Sequence, residues 1–279
     1  MEIFDDTTGA ARFTDIVLVR EAFDGTNQIQ YYYSSAFGHI LVINNEIQHI
    51  ECWTPIYHEA VVHLPLMFLR NAKSTLILGG GSLFAARELL KYKTLQLITL
   101  VDWNPNVIQL SCEIYPELKA VRDDPRLQII HQDAWDYLHI SNQKFDFILN
   151  DAFNLCSISE DKYPNAYNIL YDKLTETGII SDLFYRNIHD EKLTKNAISK
   201  LRTFKHKAFS LLAVPEYPGV LHLLSFWGKN RQISQNARST FNLESNIIMS
   251  RGEFLIFNPK FLRFYLYIPP YLRHYAINC

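Results

Sequence analysis

Along most of the chain, short apolar runs alternate with stretches whose apolar positions recur at helical spacing. Up to about residue 55 only short strands are predicted, at 15–20, 28–33 and 39–43. Asp24-Gly25-Thr26-Asn27 and Asn44-Asn45 supply the turns, and the second reads as a hairpin turn. From Thr54-Pro55 the pattern changes. Residues 57–64 read as a helix, with Pro65 as a kink or an early stop. Beyond Lys73 strands and helices alternate: strand 75–78, helix 82–92, strand 95–101, helix 104–115, strand 127–130, a short helix near 134–138 and strand 145–149. Helix 166–174, strand 178–182, helix 191–204 and strands 207–214 and 220–227 complete the series. Such alternation predicts a parallel sheet covered by crossover helices. The last two strands, joined by Pro215-Glu216-Tyr217-Pro218-Gly219, read as an antiparallel hairpin. The expected division is a β-strand domain over 1–55 and an α/β domain over 56–279. The aromatic tail from Phe254 to Tyr275 is expected to pack back on the second domain.

Composition narrows the class. With 279 residues and 48% hydrophobic content, the chain can bury a large core. A net charge of -2 gives no basic footprint for nucleic acid. Cys52, Cys112, Cys156 and Cys279 show no close pairing, so a reduced, cytoplasmic chain is expected. The acidic start, Met1-Glu2-Ile3-Phe4-Asp5-Asp6, does not read as a signal peptide, and no apolar run is long enough to span a bilayer. His58 and His63 lie five positions apart, which does not suit zinc on one helix face, and no metal site is expected.

Candidate chemistry falls at the strand ends. In an open parallel sheet, ligands sit outside the carboxyl ends of the strands. Gly79-Gly80-Gly81 follows the first of these strands and opens a helix, where close backbone approach and unpaired N–H groups suit a nucleotide-like ligand. Asp102 ends the next strand and is placed to accept from ribose hydroxyls. Asp133 and Ala134 follow the third strand, where a carboxylate and a backbone N–H suit an adenine ring. Asp151 ends the fourth. The competing reading is that each Asp only caps the helix after it. Phe84 stands where the third glycine of a dinucleotide fingerprint would fall, which favours an S-adenosyl sulfonium over NAD.

Several motifs in fixed order resemble the polyamine aminopropyltransferases, the spermidine synthase family. The family's GGGDGG turn with RE close behind corresponds to Gly79-Gly80-Gly81-Ser82-Leu83-Phe84 and Arg87-Glu88. Its DDPR is present as Asp123-Asp124-Pro125-Arg126. Its IQ, E and YHE elements match Ile47-Gln48, Glu51 and Tyr57-His58-Glu59, followed by His63-Leu64-Pro65-Leu66. Near the end, Phe257-Asn258-Pro259 and Ile268-Pro269 match its YNP and LP. The resemblance implies a small N-terminal β domain and a Rossmann-like, methyltransferase-type α/β domain with a mainly parallel seven-stranded sheet, assembled as a homodimer. It implies decarboxylated S-adenosylmethionine as a co-substrate, with no tightly bound cofactor, and a diamine such as putrescine as acceptor. Carried over by position, Gln48, the glycine turn, Asp102, Asp133 and Ala134 hold the donor, Tyr57 and Tyr217 line the acceptor pocket, and Asp151 is the catalytic carboxylate.

Three positions depart from the family pattern. Ser82 replaces the Asp of the glycine turn, which contacts the donor's ammonium and repels the carboxylate of ordinary S-adenosylmethionine. Asn154 replaces the second acid of the loop after Asp151, at a substrate-binding position. Trp53 replaces an acid upstream, so the acceptor side is expected to be less acidic and more aromatic. Aminopropyl transfer is the leading expectation. A transferase or methyltransferase using S-adenosylmethionine itself, and a weakly active nucleoside-binding homologue, are the alternatives.

Overall fold

A computed structural model describes residues 2–5, 9–69, 71–153, 155, 162–185, 195, 198–217, 221–234 and 254–270. The N-terminal part is antiparallel. Strands β1 (Glu2–Asp5) and β2 (Gly9–Arg12) form a hairpin. Strands β3 (Ile16–Phe23), β4 (Gln28–Ser34), β5 (Gly38–Ile43) and β6 (Glu46–Ile50) follow as a four-stranded meander. Asn44 and Asn45 have φ of 50° and 66°, the left-handed pair of a tight primed hairpin turn. The side-chain amide of Asn44 donates to Asn27 Oδ1 at 2.7 Å, which ties that turn to its neighbour.

Helix α1 (Thr54–Leu66) leads into the α/β part. It starts three residues before the predicted helix and runs through Pro65. Pro65 lies in the last turn, so only one intrahelical bond is lost before the helix ends. The elements that follow are β7 (Ser74–Leu78), α2 (Phe84–Leu90), β8 (Leu97–Val101), α3 (Pro105–Ile114), α4 (Leu118–Arg122), β9 (Leu127–Ile130), α5 (Ala134–Ile140), β10 (Phe145–Asn150), α6 (Ala166–Asp172), β11 (Leu174–Tyr185), β12 (His206–Leu212) and β13 (His222–Gly228). The seven strands are ordered β12-β13-β11-β10-β7-β8-β9. Six run in the same direction, and β13 enters antiparallel between β11 and β12. The fold is the expected one: an antiparallel β module followed by a Rossmann-like domain on a mainly parallel seven-stranded sheet.

Both faces of this sheet are buried, as parallel strands require. Ile77, Leu100, Phe147 and Ile179 pack toward α1, α2 and α3, while Leu76, Leu78, Ile148 and Ile180 pack toward α5 and α6. Two of these boundaries and one helix differ from expectation. Helix α2 begins at Phe84 because Leu83 takes a left-handed conformation with φ of 67°. Strand β11 begins at Leu174, paired with Phe145, so it absorbs the end of the predicted helix 166–174. Helix α4 was not predicted. Of the predicted helix 191–204, residues 195 and 198–200 are helical and Ile198, Leu201 and Phe204 are buried, while 191–194, 196 and 197 lie outside the described residues.

The aromatic tail does pack back over its described length, 254–270. Phe257, Leu262, Leu266 and Ile268 are buried. The Glu59 carboxylate on α1 accepts from the backbone N–H groups of Leu255, Ile256 and Phe257 at 2.8, 2.9 and 2.7 Å. Next to it, the Tyr92 hydroxyl bonds His63 Nδ1 at 2.8 Å, and His63 Nε2–H donates to Glu88 at 2.9 Å. Lys91 also reaches Glu88, at 2.5 Å. Burial alone would push the Glu88 carboxyl up, but the His63 bond and the His63 and Lys91 charges outweigh it and hold the group near 2. Burial lowers His63, opposed by the hydrogen bond and charge of Glu88. The two helix histidines are therefore side-chain partners inside the fold, with His58 bonded to Thr54 O at 2.9 Å.

The two sheets meet through polar contacts near the site. The Tyr31 hydroxyl lies 2.7 Å from Ser111 Oγ on α3, and the Asn104 side chain donates to Asp24 Oδ2 at 2.7 Å. Tyr31 belongs to the buried face of β4, whereas Tyr33 is exposed.

Candidate active site

The glycine turn after β7 is shaped by close packing. Gly79 and Gly80 have φ of +82° and +78°, which favour glycine. A Cβ on Gly80 would also lie 2.8 Å from Ile77 Cγ2, and one on Gly81 would lie 2.7 Å from Asp102 Oδ2. The missing side chains let the turn close on Asp102. Gly81 N–H donates to Asp102 Oδ2 at 2.8 Å, and Asn104 N–H donates to Oδ1 at 2.9 Å. Both oxygens are thus aimed before any ligand arrives. Burial raises the Asp102 carboxyl, against the lowering effect of those two N–H groups.

Asp151 directly follows β10. Its backbone N–H donates to Leu78 O at 2.9 Å, which brings it beside the glycine turn. The Tyr57 hydroxyl, from α1, donates to Asp151 Oδ1 at 2.6 Å. Burial raises the carboxyl to about 6, opposed by the Tyr57 bond and helped by the Asp102 charge. The loop carrying Asp151 is fixed from behind by Asn150. Its side-chain amide donates to Phe153 O at 2.9 Å and to Asp182 Oδ1 at 2.8 Å, and its Oδ1 accepts from Phe153 N–H at 3.0 Å. Asp182 is buried, and desolvation raises its carboxyl to about 7 against the Asn150 bond.

A cavity of about 320 Å³ opens at these strand ends. Its wall includes Gln48, Tyr57, Gly79, Gly80, Gly81, Ser82, Asp102, Ala134, Asp151 and Tyr217, so most of the predicted site residues come together. Two do not. Asp133 is absent from the wall and caps α5, with Oδ1 accepting from Trp135 N–H at 2.8 Å and Asp136 N–H at 3.0 Å. Asn154 lies outside the described residues. Trp53, expected to make the acceptor side aromatic, instead packs 5.2 Å from Phe37 in the N-terminal core and is not in the wall.

The cavity also contains residues that the sequence reading did not place there, among them His49, His58, Glu216 and His222. Glu216 restores an acid where a less acidic pocket was expected. Its neighbour Tyr217, already a candidate, was the available signal, but burial of Glu216 depends on the loop between β12 and β13 folding over β6. The Tyr217 hydroxyl donates to Ile47 O at 3.2 Å, and Glu216 Oε1 accepts from Ile50 N–H at 3.3 Å.

A sheet of this strand order, a glycine turn on the first parallel strand and carboxylates at successive strand ends define a class. It is an α/β transferase fold of the methyltransferase type, preceded by a β-sheet module. The comparisons make the assignment specific. Residues 54–237 match the family model for the spermine/spermidine synthase domain. A polyamine aminopropyltransferase from Buchnera aphidicola subsp. Acyrthosiphon pisum (strain Tuc7) is 28% identical over 251 residues, covering 88% of this chain and 86% of that one. One from Thermoanaerobacter sp. (strain X514) is 30% identical over 199 residues, covering 69% and 70%. The crystal structure of spermidine synthase from Thermotoga maritima superimposes with a TM-score of 0.76 at 20% identity, over 93% of this chain and 87% of that one. A spermidine synthase in complex with the transition state analogue AdoDATO gives 0.77 at 20% identity, over 94% and 88%. The chain belongs to the spermine/spermidine synthase family.

Proposed function

We propose that the protein transfers an aminopropyl group from decarboxylated S-adenosylmethionine to a diamine such as putrescine, giving spermidine and methylthioadenosine. The observation that carries this reading is Asp151, buried in the cavity beside the glycine turn and hydrogen-bonded by Tyr57. The amine nitrogen attacks the methylene carbon next to the sulfonium. A C–N bond forms, the C–S bond breaks with its electron pair going to sulfur, and a neutral thioether leaves. The nitrogen loses one proton, which Asp151 accepts. A free alkyl amine has a pKa near 10, so it arrives protonated and must be deprotonated within the site.

The other residues bind and align. Asp102 accepts from the ribose hydroxyls, with Gln48 beside the donor. Ala134 at the wall borders the adenine. Tyr57 and Tyr217 border the acceptor and favour cations at their ring faces, and Asn154 belongs to the same acceptor side. The enzyme works in the cytoplasm as a homodimer. The test is to incubate the protein with the donor and a panel of amines and to assay methylthioadenosine by mass spectrometry. Its absence with every amine would refute the assignment.

The Tyr57 bond sets the pH profile. Asp151 acts as the ionised carboxylate, so activity rises with pH through its pKa, near 6 in the unliganded protein. Tyr57→Phe removes a bond that lowers this pKa and shifts the acid limb of kcat/KM upward by about one pH unit. An unmoved limb would show that another group titrates.

Ser82 favours a second donor. It lines the cavity where the family places an acid, and a hydroxyl neither attracts the donor ammonium nor repels a donor carboxylate. Calorimetry is expected to show S-adenosylmethionine and its decarboxylated form binding within about tenfold of each other. Ser82→Asp should then favour the decarboxylated form by about 10- to 100-fold, the size of one charged hydrogen bond. A strong preference in the unsubstituted protein would count against the relaxed choice.

A further inference from the structure

Glu216 is 5% exposed, yet its carboxylate is only half used. Oε1 accepts from Ile50 N–H, while Oε2, fully buried, has no hydrogen-bond partner among the described residues. Leaving a buried carboxylate oxygen unsatisfied is costly unless a ligand satisfies it. The residue lines the same cavity as Asp151 but comes from a different part of the fold. Asp151 ends β10, whereas Glu216 sits in the loop between β12 and β13. That loop lies at the same edge of the sheet, because antiparallel β13 starts where the parallel strands end. Strands β10 and β13 are separated by β11, two strand spacings or about 10 Å. That is the scale of a short extended diamine held by a hydrogen bond at each end.

We propose that Glu216 is the anionic subsite for the non-reacting, protonated nitrogen of the acceptor, and so selects amines that carry a second cation. The subsite rests on the aminopropyl-transfer reading and adds to it the residue that sets acceptor choice. Asp151 meets the nitrogen that attacks, and Glu216 meets the nitrogen that does not. Glu216 thereby supplies a charge that the sequence lacks at Asn154 and Trp53, the positions where the family pattern has acids. A purely structural Glu216 would need only the oxygen that accepts from Ile50, which a glutamine also offers.

Glu216→Gln keeps that oxygen and removes the charge. With 1,4-diaminobutane as acceptor, KM is expected to rise about 10- to 100-fold, the worth of one charged hydrogen bond. With 1-aminobutane, which lacks the second cation, KM should stay within twofold, and so should methylthioadenosine affinity by calorimetry. Equal changes for the two amines, or none for the diamine, would overturn the subsite. Calorimetric titration of both amines into the protein saturated with methylthioadenosine gives a readout independent of turnover. There the unsubstituted protein should bind the diamine at least tenfold tighter than the monoamine, and equal affinities would again overturn the subsite. This second measurement decides the question even if Glu216→Gln fails to fold. Failure to form methylthioadenosine with any amine refutes the transferase reading, whereas turnover without diamine selectivity refutes only Glu216.

Discussion

Asp151→Asn is expected to lower kcat by about 10²- to 10⁴-fold, the usual worth of a positioned general base. Asparagine keeps an oxygen that can accept from the Tyr57 hydroxyl, so the local hydrogen bond survives while the proton acceptor is lost. Methylthioadenosine affinity, read by calorimetry, should stay within about threefold, because Asp102 and the glycine turn hold the nucleoside. A parallel loss of binding and turnover would instead assign Asp151 to the architecture of the β10 loop. The residual rate should also lose its acid limb. That limb belongs to Asp151, which burial places near 6, within reach of an ordinary pH profile.

The largest expected loss of stability lies outside the cavity. Glu88→Ala should cost about 3–5 kcal/mol in urea unfolding, the range for breaking a buried charged network by removing one partner. His63 is fully buried and Glu88 is 1% exposed, so water does not replace the lost carboxylate easily. The His63 N–H would lose its acceptor, and Lys91 would lose the carboxylate that it reaches at 2.5 Å. The same cluster packs against the tail, since the His63 ring lies 4.6 Å from Phe254 and 5.2 Å from Phe257. The loss should therefore appear as a lower unfolding midpoint with nucleoside affinity little changed in the folded state. A cost below about 1 kcal/mol would mean that the cluster is solvated in solution.

Much of the site was legible because its residues sit at strand ends in regular order. The run Thr75 to Leu78 followed by three glycines specifies a buried strand and a tight turn by local chemistry alone. Asp102 and Asp151 follow the same logic one and three strands along. Asp133 occupies a similar place in sequence, but its carboxylate turns to cap α5, because the first free N–H groups of that helix are within reach. Local sequence offered both fates for each of these acids, and only the packing around each strand end separated them. The family motifs carried the assignment further than strand order could, and they also marked Ser82 and Asn154 as departures from the family pattern.

The sequence by itself determined the alternation of strands and helices, the glycine turn and the family, because each depends on residue type and spacing along one segment. The tertiary structure alone decided which acids face the cavity. Glu216 enters it from a hairpin loop fastened to β6, more than 160 residues upstream. Trp53 leaves the pocket for an aromatic partner in the N-terminal sheet. Burial and charge at those positions are set by contacts between segments far apart in the chain, which no local pattern encodes.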